Sequence, residues 1–215
     1  MLKAPSPPTK ALSLRLTFCL STLLLVLWFP TTALAQIKQP GAHVNYSVEL
    51  EPHGVILWDG PGSEEGIGLG FRASIPLFHN GPIPKINNNM AIGFGFDWVY
   101  YDLPCSRAYY NNGVVVIGGD CSATDFWMPV VAQWNFYLTP AIAVFGEPGL
   151  AVRHRRISLG DCRTPNGTII NCDDSDTDFL NPFFAAGGKF FVSRSISVTV
   201  RLGFPAISVG ASFYL

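Results

Sequence analysis

The sequence predicts an all-β fold: an eight-stranded antiparallel barrel that crosses a membrane with its strands, following a cleaved leader. Three observations predict it. Apolar and polar residues alternate with a period of two in eight successive segments. Only 13% of the residues are charged, about half the usual share, yet no stretch beyond Ala35 is apolar enough for a membrane helix. The last strand places Ile207, Val209, Ala211, Phe213 and Leu215 on one face and Ser208, Gly210, Ser212 and Tyr214 on the other. Such a strand makes sense where it closes a barrel and its apolar face meets lipid.

The leader comes first. Lys3, Lys10 and Arg15 precede an apolar core over residues 16–29, which is too short to span a bilayer. Pro30 breaks the core, and Ala33-Leu34-Ala35 supplies the small residues of a cleavage site. Residues 1–35 therefore read as a signal peptide and residues 36–215 as the barrel. Cys19 precedes most of the apolar core, so it does not mark a lipoprotein signal.

The strands follow in order. Over residues 43–58, Val44, Val48, Leu50, Ile56 and Trp58 alternate with Asn45, Ser47, Glu49, Glu51 and His53. Over 67–77, Ile67, Leu69, Phe71 and Ile75 oppose Gly68, Gly70, Arg72 and Ser74. Over 90–100, Ile92, Phe94, Phe96 and Trp98 oppose Gly93, Gly95 and Asp97. Over 126–138, Phe126, Met128, Val130 and Trp134 oppose Gln133 and Asn135. Segments 142–152, 180–190 and 196–204 repeat the pattern less regularly, and 207–215 completes the set. The outer loops are then 59–66, 101–125, 154–178 and 203–206, and the inner turns 78–89, 139–140 and 193–195. The two long loops fall on one side, the asymmetry expected of such barrels.

Aromatic residues should form a girdle at each lipid boundary. Trp58, Trp98, Tyr100, Phe126 and Phe204 fall at the outer strand ends, and Tyr46, Phe136, Phe190 and Phe213 at the inner ends. Pro52, Pro129, Pro148 and Pro182 lie inside strands and are expected to mark bulges or rims.

The inward faces carry Glu49, Glu51, Arg72, Asp97, Glu147, Arg153, Lys189 and Arg201. An eight-stranded barrel is only wide enough for side chains, and a buried charge must be paired. These residues therefore read as a network of ion pairs filling the barrel. Glu49, Glu51, Lys189 and Arg201 come from the first, sixth and seventh strands, which flank the closing seam. A narrow path for ions is the rival reading.

Four cysteines follow the leader: Cys105, Cys121, Cys162 and Cys172. Four permit three pairings, and disulfides are the expectation in an exported chain. Their order suggests Cys105–Cys121 and Cys162–Cys172, each closing one outer loop. No CxxC pair or histidine cluster suggests zinc.

Catalytic chemistry has little support. His43, His53, His79 and His154 are the histidines, and only His53 lies near both an acid, Glu51, and a candidate serine, Ser74. Asp173, Asp174, Asp176 and Asp178 suggest calcium, but an EF-hand loop would need Gly and Glu where Phe179 and Ala185 stand. A solvated loop is the simpler reading. Arg153, His154, Arg155 and Arg156 suit either lipopolysaccharide phosphates or that acidic run. No basic stripe points to nucleic acid.

The ending, with Gly210, Phe213 and Leu215 in polar-x-Gly-x-x-aromatic-x-apolar spacing, resembles the assembly signal of bacterial outer-membrane barrels. The whole of residues 36–215 resembles the small barrels of the OmpA-transmembrane and OmpX type. The resemblance implies the bacterial outer membrane as location and its lipid, lipopolysaccharide and the barrel-assembly machinery as partners. No cofactor is implied. The expected function is non-enzymatic, structural or exercised through the outer loops on an unidentified extracellular ligand. The alternatives are a lipid-modifying outer-membrane enzyme and a soluble lipocalin-like barrel binding an apolar ligand.

Overall fold

The computed structural model describes residues 35–103, 110–111, 114–116, 121–160, 162–163, 169–170 and 173–215. The leader proposed for residues 1–35 thus lies outside the described residues but for Ala35.

Eight long strands form the barrel: β1 (Glu49–Leu57), β2 (Gly66–Phe78), β3 (Asn88–Leu103), β4 (Cys121–Thr139), β5 (Ile142–Ser158), β6 (Asp174–Phe191), β7 (Ile196–Phe204) and β8 (Ala206–Tyr214). They close in the order β1-β8-β7-β6-β5-β4-β3-β2, each antiparallel to its neighbours. The seam pairs β1 with β8, from Glu49 opposite Tyr214 to Leu57 opposite Ala206.

Period-two patterning sets the faces. In β4 every second residue from Cys121 to Tyr137 is buried inside the barrel, without a break. Leu69, Phe71, Phe94, Val130, Leu150 and Phe184 lie exposed on the outside. Charges inside and a continuous apolar exterior invert the polarity of a water-soluble barrel. That exterior is stable against lipid, and closure leaves no unpaired backbone edge in the hydrocarbon layer. Trp58, Trp98 and Tyr100 are exposed at the outer strand ends, and Phe190 and Phe213 at the inner ends.

Tyr46 departs from the expected girdle. It is buried, with its ring edge-on to Tyr214 at 5.0 Å between centroids, and its hydroxyl accepts from Asn89 Nδ2 at 3.1 Å. The cause is that β1 begins at Glu49, so the chain before it is free to fold across the inner mouth. The Gln36 N–H donates to the Leu138 carbonyl at 2.8 Å, the Asn87 N–H donates to that of Ile37 at 2.7 Å, and His43 stacks on Tyr137 at 4.4 Å.

The prolines mostly leave register intact. The β1–β8 ladder passes Pro52 from Leu50–Phe213 to His53–Gly210 without a shift. The β3–β4 ladder likewise passes Pro129 from Phe94–Val130 to Asp97–Trp127, and the β4–β5 ladder passes Pro148 from Val131–Gly149 to Trp134–Gly146. Each removes one donor and interrupts two rungs of that ladder. Pro182 is the exception, since a shift between Asp178 and Asn181 lies just before it in β6, where Leu180 has φ 62°; further shifts fall between Pro76 and Phe78 in β2 and between Tyr137 and Thr139 in β4.

The largest difference from the expected layout is at the outer end. The stretches 101–103, 121–125, 154–158 and 174–178, expected as loop, continue β3, β4, β5 and β6 as paired strand. On the other side, β1 and β2 end at the Leu57–Gly66 rung, and β7 and β8 meet at Pro205. The barrel is therefore tall along β3–β6 and short along β7, β8, β1 and β2. Beyond the tall side, residues 110–111, 114–116, 162–163 and 169–170 form a second small sheet in that order, with Val115 opposite Arg163. It pairs the two long outer loops with each other.

Candidate functional site

The interior is layered. At the inner end, amides and phenols interlock: Asn89 Nδ2 donates to the hydroxyls of Tyr46 and Tyr137 at 3.1 and 3.0 Å, and Asn135 Nδ2 donates to Asn89 Oδ1 at 2.8 Å. An ionic layer lies above it. Near the outer end the filling turns apolar, with Val55, Leu57, Val99, Trp127, Ala151 and Phe183 in one cluster.

The ionic layer spans the lumen. Arg201 on β7 reaches Glu51 on β1 through both terminal nitrogens, Nη2 at 2.8 Å from Oε2. Its Nε lies 2.8 Å from Glu147 Oε2 on β5. Lys189 on β6 crosses to Glu49 on β1 at 2.6 Å. Gln133 Nε2 donates to Glu147 at 2.8 Å and the Ser212 hydroxyl to Glu51 at 3.1 Å. Phe145 gives its ring to both cations, 5.3 Å from Lys189 Nζ and 5.2 Å from Arg201 Cζ. Each carboxylate in this layer thus has a cation and a neutral donor: for Glu49 the donor is the Tyr214 hydroxyl at 3.5 Å. That is the condition under which buried charge is tolerated.

A second group adjoins it. Asp97 on β3 takes Arg72 Nη2 at 3.3 Å and His53 Nε2 at 2.7 Å, while His53 Nδ1 lies 3.2 Å from the Glu51 carbonyl. Glycine makes the room. A Cβ at Gly70 would stand 2.2 Å from Asp97 Oδ1 and 2.4 Å from His53 Nε2, and one at Gly210 would stand 2.6 Å from His53 Cβ. Gly210 thus lies against His53, its partner across the seam. His53 is opposite Gly70 on β2, whereas Ser74 is opposite Glu49. The Ser/His/acid set considered from sequence is therefore not assembled.

Arg153 faces inward, as expected, but near the outer end and apart from the ionic layer. It pairs with Asp178 and holds its guanidinium 5.6 Å over Trp127 at the outer rim. The bulge between Asp178 and Asn181 brings Asp178 opposite Arg153, which a strictly alternating reading of β6 misses. The remaining basic cluster is also committed. Arg155 grips buried Asp125 with Nε at 2.7 Å and Nη2 at 2.6 Å, and Tyr101 adds its hydroxyl to Asp125 at 3.3 Å. Arg156 lies 3.7 Å from Asp173, and His154 Nδ1 lies 2.8 Å from the Thr177 hydroxyl. Of the two readings left open for the basic run, pairing with acids of the same extension is the one the geometry displays. Asp125 and Arg155, taken as loop residues from sequence, are a buried pair at the rim.

Cys121 is disulfide-bonded. The side chains of Cys105, Cys162 and Cys172 lie outside the described residues, and so does the pairing suggested for all four.

Among the described residues no cluster of potential metal ligands occurs, and no helix is long and apolar enough to cross a membrane. No protein-family model and no curated protein matches the chain. Solved structures do. Ail, the attachment invasion locus protein of Yersinia pestis, aligns at 10% identity over 80% of this chain and 99% of its own, with a TM-score of 0.44. Neisserial surface protein A aligns at 11% identity over 78% and 96%, with a TM-score of 0.46. The outer membrane protein Ail in a phospholipid bilayer nanodisc aligns at 12% identity over 80% and 100%, with a TM-score of 0.39. Each is a likeness of overall form alone. On its own geometry, a closed eight-stranded barrel with an apolar exterior, the chain has the architecture of the small outer-membrane β-barrels.

Proposed function

We propose that the protein is a non-enzymatic barrel of the bacterial outer membrane, closed to solutes and acting through its tall outer side. The observation that carries this is the ionic layer, where Arg201, Glu51, Glu147, Lys189 and Glu49 link four strands across the lumen. A lumen bridged by paired charges has no room for an apolar ligand, which sets aside the lipocalin-like reading, and leaves the pore filled. The extension of β3–β6, together with the sheet joining the two long loops, is then the part presented outside the cell. Disulfides of Cys105 with Cys121 and of Cys162 with Cys172 would staple those loops.

The lipid-facing belt serves as anchor, and lipopolysaccharide is the neighbour at the outer rim. Gly210 and Phe213 on β8, with Leu215 just after it, are the residues offered to the assembly machinery. Removal of residues 1–35 precedes that step. The test has two parts. The protein should partition with the outer-membrane fraction and run with heat-dependent mobility on gels; recovery in the aqueous fraction would end the reading. Purified protein in a planar bilayer should show no stepwise conductance; regular steps would show that the interior is a path.

A further inference from the structure

Among the described residues, the tall side of the barrel leaves one edge of β6 without a partner strand. Above the Phe184–Phe204 rung, β6 has β5 on one side and no described strand on the other. An unpaired edge is a template for strand addition by another chain. Here the edge bears Asp174, Ser175, Asp176 and Thr177, all exposed.

The backbone amides of that edge are already occupied. The Ser175 N–H donates to Asp174 Oδ1 at 2.8 Å, and the Thr177 N–H donates to Asp176 Oδ1 at 2.9 Å. Residues two apart send their amides to the same side of a strand. An amide held by a carboxylate is not in the ladder with β5, so both of these face the open side. Each carboxylate takes the amide of the next residue, a local bond of the kind that competes with sheet pairing.

We propose that Asp174 and Asp176 cap the free edge of β6 and so close it to edge-to-edge pairing with a second copy of this chain. The spacing that suggests a calcium loop is, in this arrangement, the spacing needed to cap alternate amides. Along β6 the outer extension then offers its faces and not its edge.

The experiment compares folded, detergent-solubilised wild type with Asp174→Ala/Asp176→Ala and Asp174→Asn/Asp176→Asn. Sedimentation reads oligomeric state, and hydrogen exchange of the Ser175 and Thr177 amides reads the caps. Asparagine keeps the side-chain carbonyl that accepts the amide while removing charge. The wild type and the Asn pair should be monomeric with both amides protected. At concentrations too low for association the Ala pair should exchange about fivefold faster at both amides, the loss of one modest hydrogen bond each, and at higher concentration it should form a dimer in which both amides are protected again. An Ala pair that stays monomeric overturns the proposal. So does an Asn pair that dimerises like the Ala pair, because charge repulsion would then guard the edge. Unprotected Ser175 and Thr177 amides in the wild type overturn it as well, without reference to any variant.

Discussion

Ion pairs hold both the barrel interior and its outer extension, yet the two sets live in different media. Arg201, Glu51 and Glu147 are each at most 3% exposed at the side chain, whereas Arg156 is 68% exposed beside Asp173. Arg155 and Asp125 fall between them, at 14% and 0%. In water an ion pair contributes little, because solvent competes for both partners. In the lumen the same charges have lost their solvent, so deleting one partner strands the other. The sequence motif, Arg beside Asp or Glu, is the same throughout; burial sets what it is worth.

Removing the Arg201 side chain should therefore have the largest effect. Arg201→Ala leaves Glu51 and Glu147 facing each other without their shared cation, and should lower unfolding stability by about 3–5 kcal/mol. Denaturant titration of the folded protein in micelles reads this as an earlier midpoint. The sharper version replaces the group as a unit. Arg201→Met with Glu51→Gln and Glu147→Gln should be more stable than Arg201→Ala alone, because neither acid remains charged and unpaired. If the triple variant is the weaker, the pairing rather than its absence is what stabilises the lumen.

How much of this could be read without coordinates follows from the same physics. The eight strands were legible because lipid outside and side chains inside enforce alternation at nearly every membrane-level residue, as in Phe126 to Leu138. Beyond the lipid that constraint lapses. His154 to Arg156 and Asp173 to Asp178 then read as loop, though Asp174, Asp176 and Asp178 against Arg155 and Arg153 is itself a period-two charge pattern. That charge alternation is the signal that would have extended β5 and β6. Membership of the interior set was legible from parity for Glu49, Glu51, Asp97, Glu147, Lys189 and Arg201. The partners were not, since they depend on register and on reach across the lumen, as for Lys189 and Glu49. Parity held for Arg153, which faces inward over Trp127, and failed at Asp178, because the bulge after it turns that acid inward opposite Arg153. It failed at Tyr46 because the segment before β1 turns under the barrel instead of continuing the strand.

The half-buried rim pair should come next. Arg155→Ala leaves Asp125 fully buried with the Tyr101 hydroxyl, at 3.3 Å, as its hydrogen-bond donor. The expected loss is about 2 kcal/mol, between the interior and surface cases. Asp125→Asn should cost less, since a neutral amide oxygen still accepts from Arg155 and Tyr101. Equal losses in the two variants would mean that hydrogen bonding and not charge holds the rim.

At the opposite end of the molecule, His43 provides a pH-dependent counterpart. Burial against Tyr137 pushes its pKa below the ordinary value, outweighing the contact with Asn87. The sign follows. Above the unfolded value of about 6.5 both states hold a neutral ring. As pH falls below it, the unfolded chain takes up the proton first, so stability is lost progressively through the lower folded value. Unfolding midpoints should fall between pH 7.5 and 5.5 by more in the wild type than in His43→Phe, which keeps a stacking ring without a proton to bind. An identical decline in both would remove His43 from the account of the inner mouth.

The smallest effect belongs to the most exposed pair. Arg156 reaches Asp173 at 3.7 Å from a side chain mostly in water, so Arg156→Ala should shift stability by no more than about 0.5 kcal/mol. Salt tells the pairs apart further. Raising ionic strength screens charges that water reaches and leaves buried ones nearly untouched, so the Arg156 variant and the wild type should converge at high salt while the deficit of Arg201→Ala persists. A large, salt-resistant loss at Arg156 would mean that the outer extension is packed more tightly than its exposure indicates, and that burial by the neighbouring loops sets the strength of its ion pairs as the lumen sets those within.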